Sequence, residues 1–126
     1  MRLTVLVIED NALNRDLFSR VLMHQGYNVM AAANGVDGIV MAKQNPPDVI
    51  LLDMRLPDMS GCAVVKKIKK QVTMRHIPII ALSAYATVPE CEKMIAIGCD
   101  AVEMKPIAFT QLIQRIEKYR NKKIKK

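Results

Sequence analysis

Short apolar runs alternate along the chain with longer segments of helical periodicity. Three of the five runs are rich in Val, Ile and Leu with little polar alternation, which is typical of strands covered on both faces. The runs predict strands at Leu3–Ile8, Asn28–Ala32, Val49–Asp53, Ile79–Ser83 and Ala101–Met104.

Between these runs, apolar residues recur at the spacing of an amphipathic helix. The first such segment has Asn11 as a suitable N-cap and Gly26 as a suitable C-cap. Its apolar stripe comprises Leu13, Leu17, Phe18, Val21 and Leu22. The pattern predicts helices at about Asn11–Gln25, Gly35–Gln44, Cys62–Gln71, Pro89–Ile97 and Ala108–Asn121.

Strands that alternate with helices imply a parallel sheet with right-handed crossovers. We therefore predict a single (βα)5 domain of the α/β class over residues 1–120. Residues 121–126 form a basic C-terminal tail in this division.

The net charge of +7 comes entirely from the last 22 residues, where eight basic residues accompany one acid. Residues 1–104 carry 11 basic and 11 acidic side chains. The excess suits either a solvated tail or an electrostatic contact with an acidic partner. Because no aromatic residue interleaves the terminal lysines, we predict no specific nucleic-acid binding.

The sequence favours a cytoplasmic protein. No apolar run is long enough to span a membrane, and the N-terminal run is too short for a signal peptide. The three cysteines (Cys62, Cys91 and Cys99) are odd in number and form no CxxC pair, which favours reduced thiols.

Polar residues stand where four of the predicted strands end. Glu9 and Asp10 follow the first strand, Asp53 ends the third, Ser83 ends the fourth and Lys105 follows the fifth. Each alone has an ordinary structural explanation, such as a helix cap or a loop. Their convergence at the carboxyl edge of a parallel sheet, where ligands bind, favours a functional site.

The chemistry of this set suits phosphoryl transfer. Crowded carboxylates repel one another, and a hard cation such as Mg²⁺ resolves the repulsion and commonly works beside phosphate. Lys105 adds a compact positive charge, so Asp53 is tolerable in a buried strand and is placed as a nucleophile. Ser83 is suited to hydrogen-bond an oxygen of the transferred group.

Four segments resemble the receiver domains of two-component response regulators. They are "VLVIEDN", "DVILLDMRLPDMSG", "IPIIALSAYA" and "MKPI", and the likeness extends from Leu3 to about Tyr119. The arrangement is most similar to single-domain members of the CheY and DivK kind. The resemblance implies a flavodoxin-like three-layer sandwich with strand order 2-1-3-4-5 and a cis Lys105–Pro106 bond.

The resemblance also implies a role for each site residue. Asp53 is the phosphoacceptor, and Asp10, Asp53 and the main-chain carbonyl of Arg55 bind Mg²⁺, for which Mn²⁺ can substitute. Glu9 acts through a metal-bound water. Ser83 and Lys105 contact the phosphoryl oxygens as the catalytic partners of Asp53.

One departure from the family concerns its switch aromatic. Similar domains place Tyr or Phe three residues before the lysine, and here that position is Val102. Tyr85, two residues after Ser83, is the nearest aromatic in the site loops. Our hypothesis is that Tyr85 partly covers the site and slows hydrolysis of the aspartyl-phosphate, with Arg55 as a second modulator.

These features predict a stand-alone receiver that accepts a phosphoryl group from a histidine kinase or histidine phosphotransfer protein. It assists its own phosphorylation and dephosphorylation but is not an enzyme acting on a metabolite. The resemblance implies a downstream protein on the fourth-helix, fifth-strand and fifth-helix face. We expect a monomer, with dimerisation on phosphorylation left open.

Three alternatives remain at this point. One is a receiver cut from a larger regulator or hybrid kinase, and another is a docking protein that works without phosphate. A Mg²⁺-dependent phosphatase is disfavoured, because Arg55 stands where such enzymes carry a second Asp as general acid.

Overall fold

Strands and helices alternate along the chain in the computed structural model, which describes residues 2–84 and 87–124. The strands are β1 (Thr4–Ile8), β2 (Asn28–Ala32), β3 (Val49–Asp53), β4 (Ile79–Ser83) and β5 (Ala101–Met104). The helices are α1 (Ala12–His24), α2 (Gly35–Gln44), α3 (Gly61–Lys70), α4 (Val88–Ala96) and α5 (Phe109–Ile124).

All five strands pair in parallel, in the order β2-β1-β3-β4-β5. The register places Val5 beside Val49, Ile50 beside Ile79 and Ile80 beside Ala101. Because the strands run in one direction, their carboxyl ends share one edge of the sheet. The predicted fold and strand order are confirmed.

The sheet separates two apolar cores, which explains the weak polar alternation of its strands. Val5 and Val7 of β1 pack with α1 and α5, whereas Leu6 and Ile8 pack with α2, α3 and α4. Every residue of β3 is buried. Helices therefore cover both faces of the sheet, as a parallel sheet requires.

The predicted apolar stripe of α1 is wrong for two of its residues. Phe18 and Leu22 are buried, but Leu13 is 82% exposed and Leu17 is 49% exposed. Leu13 and Leu17 lie four residues apart, on a strip about 140° around the helix from that of Phe18 and Leu22. The core-facing strip is consequently narrower than the sequence pattern suggests.

Several helix ends differ from the prediction by one to three residues. Helices α3 and α4 begin one residue early, because Ser60 and Thr87 act as N-caps and accept hydrogen bonds from the Ala63 and Glu90 amides. Gln25 rather than Gly26 is the C-cap of α1.

Helix α5 runs to Ile124 instead of ending at Asn121. The sequence after Asn121 has neither Gly nor Pro to stop a helix, and Lys favours helix. Across the described residues, no helix has both the length and the apolar character needed to cross a membrane. The three cysteines are free thiols, with Cys99 buried.

Candidate functional site

Four adjacent strands bring the polar residues singled out in the sequence to one edge of the sheet. Glu9 and Asp10 directly follow β1, Asp53 ends β3, Ser83 ends β4 and Lys105 directly follows β5. Since β3 lies between β1 and β4, the Asp53 position has the acid pair on one side and Ser83 and Lys105 on the other.

Three carboxylates form a tight cluster at this edge. Ligand oxygens of Glu9, Asp10 and Asp53 lie within 4.8 Å of one another. Glu9 and Asp53 are only 1% and 4% exposed, whereas Asp10 is at the surface. Carboxylates at such distances repel each other, and oxygen ligands of this kind suit a hard divalent cation.

Asp53 is held by two donors. Lys105 Nζ lies 3.0 Å from Oδ2, and the Arg55 amide donates to Oδ1 at 2.9 Å. Burial alone would raise the pKa of Asp53, but the neighbouring Glu9 carboxyl, the Arg55 amide and Lys105 hold that pKa below its usual value. Asp53 is therefore ionised at neutral pH, the state in which a carboxylate can act as a nucleophile.

Glu9 is in the opposite electrostatic situation. Burial, together with the adjacent Asp53 carboxylate, raises the pKa of Glu9 to about 7. Its Oε1 accepts a hydrogen bond of 3.0 Å from Asn14 Nδ2. Its Oε2 is buried and has no hydrogen-bond partner among the described residues. A metal-bound water would satisfy that oxygen, so the residues present fit a hydrated divalent cation.

A cavity of about 180 Å³ adjoins Asp53. At the volume that water occupies in the liquid, it has room for about six molecules. Its polar walls include Arg55, Ser83, Glu90 and Lys105. A small anionic group attached to Asp53 would therefore enter a space lined by Lys105 and the Ser83 hydroxyl.

The sequence matches the family of response regulator receiver domains over residues 5–117. The chain belongs to the response regulator receiver domain family. A curated relative, the polar-differentiation response regulator DivK of Brucella anthropi, is 37% identical over 116 residues. That match covers 92% of this chain and 94% of the relative.

Solved receiver domains have the same fold. The chemotaxis protein CheY4 of Vibrio cholerae is 26% identical, with a TM-score of 0.88 over 94% of this chain and 99% of its own. The receiver domain of the sensor histidine kinase PA1611 from Pseudomonas aeruginosa is 29% identical, with a TM-score of 0.86 over 94% and 98%. A magnesium ion is coordinated in the active-site cleft of that protein.

The position that similar receivers fill with an aromatic residue is half-buried in this one. Val102 lies on β5 and packs against the core shared with α2, α3 and α4. Tyr85, the aromatic residue proposed to cover the site, lies outside the described residues. The Lys105–Pro106 peptide bond is cis, in agreement with the resemblance.

Two neighbours of the acid pair were missed in the sequence. Asn14 contacts the Glu9 side chain, and Arg15 Nη1 donates to the main-chain oxygens of Glu9 and Asp10 at 2.9 and 3.2 Å. Both belong to the first turns of α1, which begins directly beyond the acids. Their closeness in sequence to the acid pair was the available signal. Residue spacing alone does not show in which direction a side chain points.

Proposed function

We propose that this receiver accepts a phosphoryl group on Asp53 from a phosphohistidine of a histidine kinase or histidine phosphotransfer protein. A carboxylate oxygen of Asp53 forms the new bond to phosphorus while the bond from phosphorus to the histidine nitrogen breaks. The nitrogen keeps the bonding electron pair and leaves as neutral imidazole once protonated. The observation that carries the proposal is a buried, ionised Asp53 between an acid pair and Lys105.

A divalent cation belongs to this proposal. Asp10, Asp53 and the Arg55 carbonyl would hold Mg²⁺ directly, and Glu9 would hold it through water. Mn²⁺ is expected to substitute. When bound, the ion neutralises charge on the carboxylates and on the incoming phosphoryl oxygens. The unpartnered Glu9 oxygen and the magnesium bound by the PA1611 receiver support this assignment.

Other side chains would act on the phosphoryl group directly. Lys105 is close enough to Asp53 to move its ammonium onto a phosphoryl oxygen, and Ser83 faces the same cavity. Such preorganised donors stabilise charge in the transition state at little reorganisation cost. Tyr85 and the Arg55 side chain are proposed to tune how quickly the aspartyl-phosphate is hydrolysed.

The output is proposed to be a protein contact that depends on phosphorylation, made in the cytoplasm. The candidate face consists of α4, β5 and α5. Exposed apolar side chains support it, since Val88 is 70%, Ile95 48% and Met104 56% exposed. Phosphorylation would change the population of two states of this face rather than create a new fold.

Two comparisons bear on whether the domain acts alone. The match to DivK spans 94% of that relative, which supports a stand-alone role. The PA1611 receiver is part of a sensor histidine kinase, which keeps a larger parent protein as the alternative. Val102 supports a second candidate function, docking without phosphate, because the usual aromatic switch is missing.

Intact-mass measurement after incubation with Mg²⁺ and a small acyl phosphate tests the proposal. We expect the parent to gain one phosphoryl group and the Asp53→Asn variant to gain none. A receiver can accept phosphate from its kinase and not from a small donor, so the parent is also incubated with phosphorylated histidine kinases. Failure with both kinds of donor would contradict phosphoacceptance and favour the docking function.

A further inference from the structure

The first turn of α1 makes a side-chain contact that the proposed chemistry does not yet use. Asn14 Nδ2 donates a hydrogen bond of 3.0 Å to Glu9 Oε1. Asn14 itself is exposed, whereas Glu9 is 1% exposed. The contact therefore connects the helix surface to a buried acid of the metal site.

The buried Glu9 carboxyl group has Asn14 as its neutral hydrogen-bond donor and lies next to the Asp53 carboxylate. Its second oxygen, Oε2, is buried with no hydrogen-bond partner in the described part of the chain. A glutamate side chain has several rotatable bonds, and ordering it costs conformational entropy. Asn14 holds Oε1, and a carboxylate oxygen of Glu9 lies within 4.8 Å of ligand oxygens of Asp10 and Asp53.

The backbone around this contact is also fixed. Asn11 Oδ1 accepts the Asn14 amide hydrogen at 2.9 Å, so the cap of α1 sets the position of residue 14. Arg15 Nη1 donates to the main-chain oxygens of Glu9 and Asp10. The start of α1 thus holds the acid pair by its main chain, and Asn14 holds the side chain of Glu9.

We propose that Asn14 is a positioning residue for the divalent-cation site, acting through Glu9. The inference rests on the proposed function, since it concerns the same metal site. Asn14 orients the carboxylate that receives a metal-bound water. Partners of this kind, one step removed from the metal, commonly affect metal affinity.

The chemical nature of the residue fits this role. A lysine or arginine in its place would also donate to Glu9, but its charge would compete with the cation for the carboxylates. The neutral amide orients Glu9 without that competition. A cap function does not account for the contact, because the cap is made by the main-chain amide of Asn14 and not by its side chain.

Titration with Mg²⁺ alone, followed by backbone amide chemical shifts, tests the inference. The same spectra report whether each variant is folded. Asn14→Ala removes the donor at a helix position where alanine is well tolerated. Asn14→Gln keeps the amide on a longer side chain. Asn28→Ala is the matched control, because Asn28 is exposed at the opposite end of the sheet.

We expect Asn14→Ala to raise the Kd for Mg²⁺ about tenfold, the lower end of what loss of such a partner usually costs. Asn14→Gln is expected to recover part of the affinity, and Asn28→Ala to match the parent. At saturating Mg²⁺, phosphorylation of Asn14→Ala from an acyl phosphate should approach that of the parent. A role in folding alone would lower thermal stability without metal and leave the Kd unchanged.

The outcomes separate this inference from the proposed function. If the parent is phosphorylated but Asn14→Ala binds Mg²⁺ within twofold of it, the inference is wrong and phosphoacceptance stands. An equal loss of affinity in Asn28→Ala would also overturn the inference. If the parent binds no Mg²⁺ and accepts no phosphoryl group, both are wrong.

Discussion

Lys105 Nζ lies 3.0 Å from Asp53 Oδ2, across the end of the strand that separates them in the sheet. The Asp53 side chain is 5% exposed and that of Lys105 is 30% exposed. The ion pair therefore neutralises a buried carboxylate while keeping the lysine accessible. A phosphoryl group on Asp53 would compete for the same ammonium. A change of charge at Asp53 would therefore act on Lys105, which directly follows β5.

Replacement of Lys105 by Met is expected to destabilise the metal-free protein. The change removes one of the two donors that hold the buried Asp53 carboxylate, which costs about 2 kcal/mol of unfolding free energy. Mg²⁺ should restore part of this loss, since it supplies the missing positive charge. Urea denaturation with and without Mg²⁺ measures both effects.

The Asp53→Asn background supplies the control for this ion pair. Without the carboxylate there is no ion pair to break, so Lys105→Met should cost much less there. An equal cost in both backgrounds would show that Lys105 stabilises the fold through contacts other than Asp53.

Stability of the metal-free protein should fall as the pH rises from about 5 to about 7. Burial, together with Asp53, raises the pKa of Glu9 from 4.5 to about 7, so the folded state binds this proton more tightly than the unfolded chain. The contribution is present below the unfolded pKa and is lost as the pH rises through the folded value. It amounts to at most about 3 kcal/mol.

Thermal unfolding at a series of pH values tests this dependence. Glu9→Gln should flatten the decline between pH 5 and 7, because its amide does not titrate. Mg²⁺ should stabilise the parent more at pH 8 than at pH 5, because protonated Glu9 is a poor partner for a metal-bound water. A parent profile that rises through this range would contradict the assignment of the titrating group.

The sheet and its order were predictable because local pattern and global fold agree. Both faces of β3 are buried, so its sequence is continuously apolar up to Asp53. Parallel pairing then brings the polar residues at the strand ends to one edge of the sheet. The alternation of strands and helices already implies such pairing. For the same reason, the positions of Glu9, Asp10 and Asp53 at one edge could be predicted before any distance was known.

Side-chain direction on the helices was less predictable. Leu13 and Leu17 fit a helical stripe by spacing, yet both are exposed because the sheet contacts a different strip of α1. Asn14 and Arg15 contact the acid pair because of where α1 begins and how it is rotated. Rotation of a helix on a sheet is set by tertiary packing, which apolar spacing specifies only coarsely.

Gly61→Ala is expected to disturb Asp53, the proposed phosphoacceptor, through the backbone. A Cβ at Gly61 would lie 2.6 Å from Met54 Cα, closer than side chains tolerate, so the main chain next to Asp53 must shift. Overpacking of this kind costs about 1–3 kcal/mol. We also expect slower phosphorylation, measured as the rate of mass gain from an acyl phosphate.

Gly35→Ala is the matched control for the glycine substitution. Its Cβ would approach Cγ and Sδ of Met59 at 2.5 and 2.7 Å and Cγ2 of the buried Val64 at 2.9 Å, which are all side-chain atoms and not main-chain atoms. We expect some loss of stability with a phosphorylation rate close to that of the parent. If both variants slowed equally, displacement of the main chain beside Asp53 would not be the cause.

The ion pair between Glu103 and Arg115 is expected to contribute strongly to the joining of β5 and α5. Arg115 Nε lies 2.5 Å from Glu103 Oε2, and the Glu103 side chain is 3% exposed. Arg115→Met keeps most of the apolar stem but leaves a buried carboxylate without this partner. Loss of one member of a buried pair costs about 3 kcal/mol, and the partial exposure of Arg115 places the expected value at or below that figure.

The double variant Glu103→Leu with Arg115→Met should recover much of the stability lost by Arg115→Met, because no buried charge remains.

Arg20→Met provides a surface comparison: Arg20 pairs with Asp16 at 2.9 Å, but both side chains are more than half exposed. Such a pair contributes at most about 1 kcal/mol. Urea denaturation of the parent, Glu103→Leu, Arg115→Met and the double variant yields the coupling energy. A value near zero would mean that the pair joins β5 and α5 no more strongly than a surface contact does.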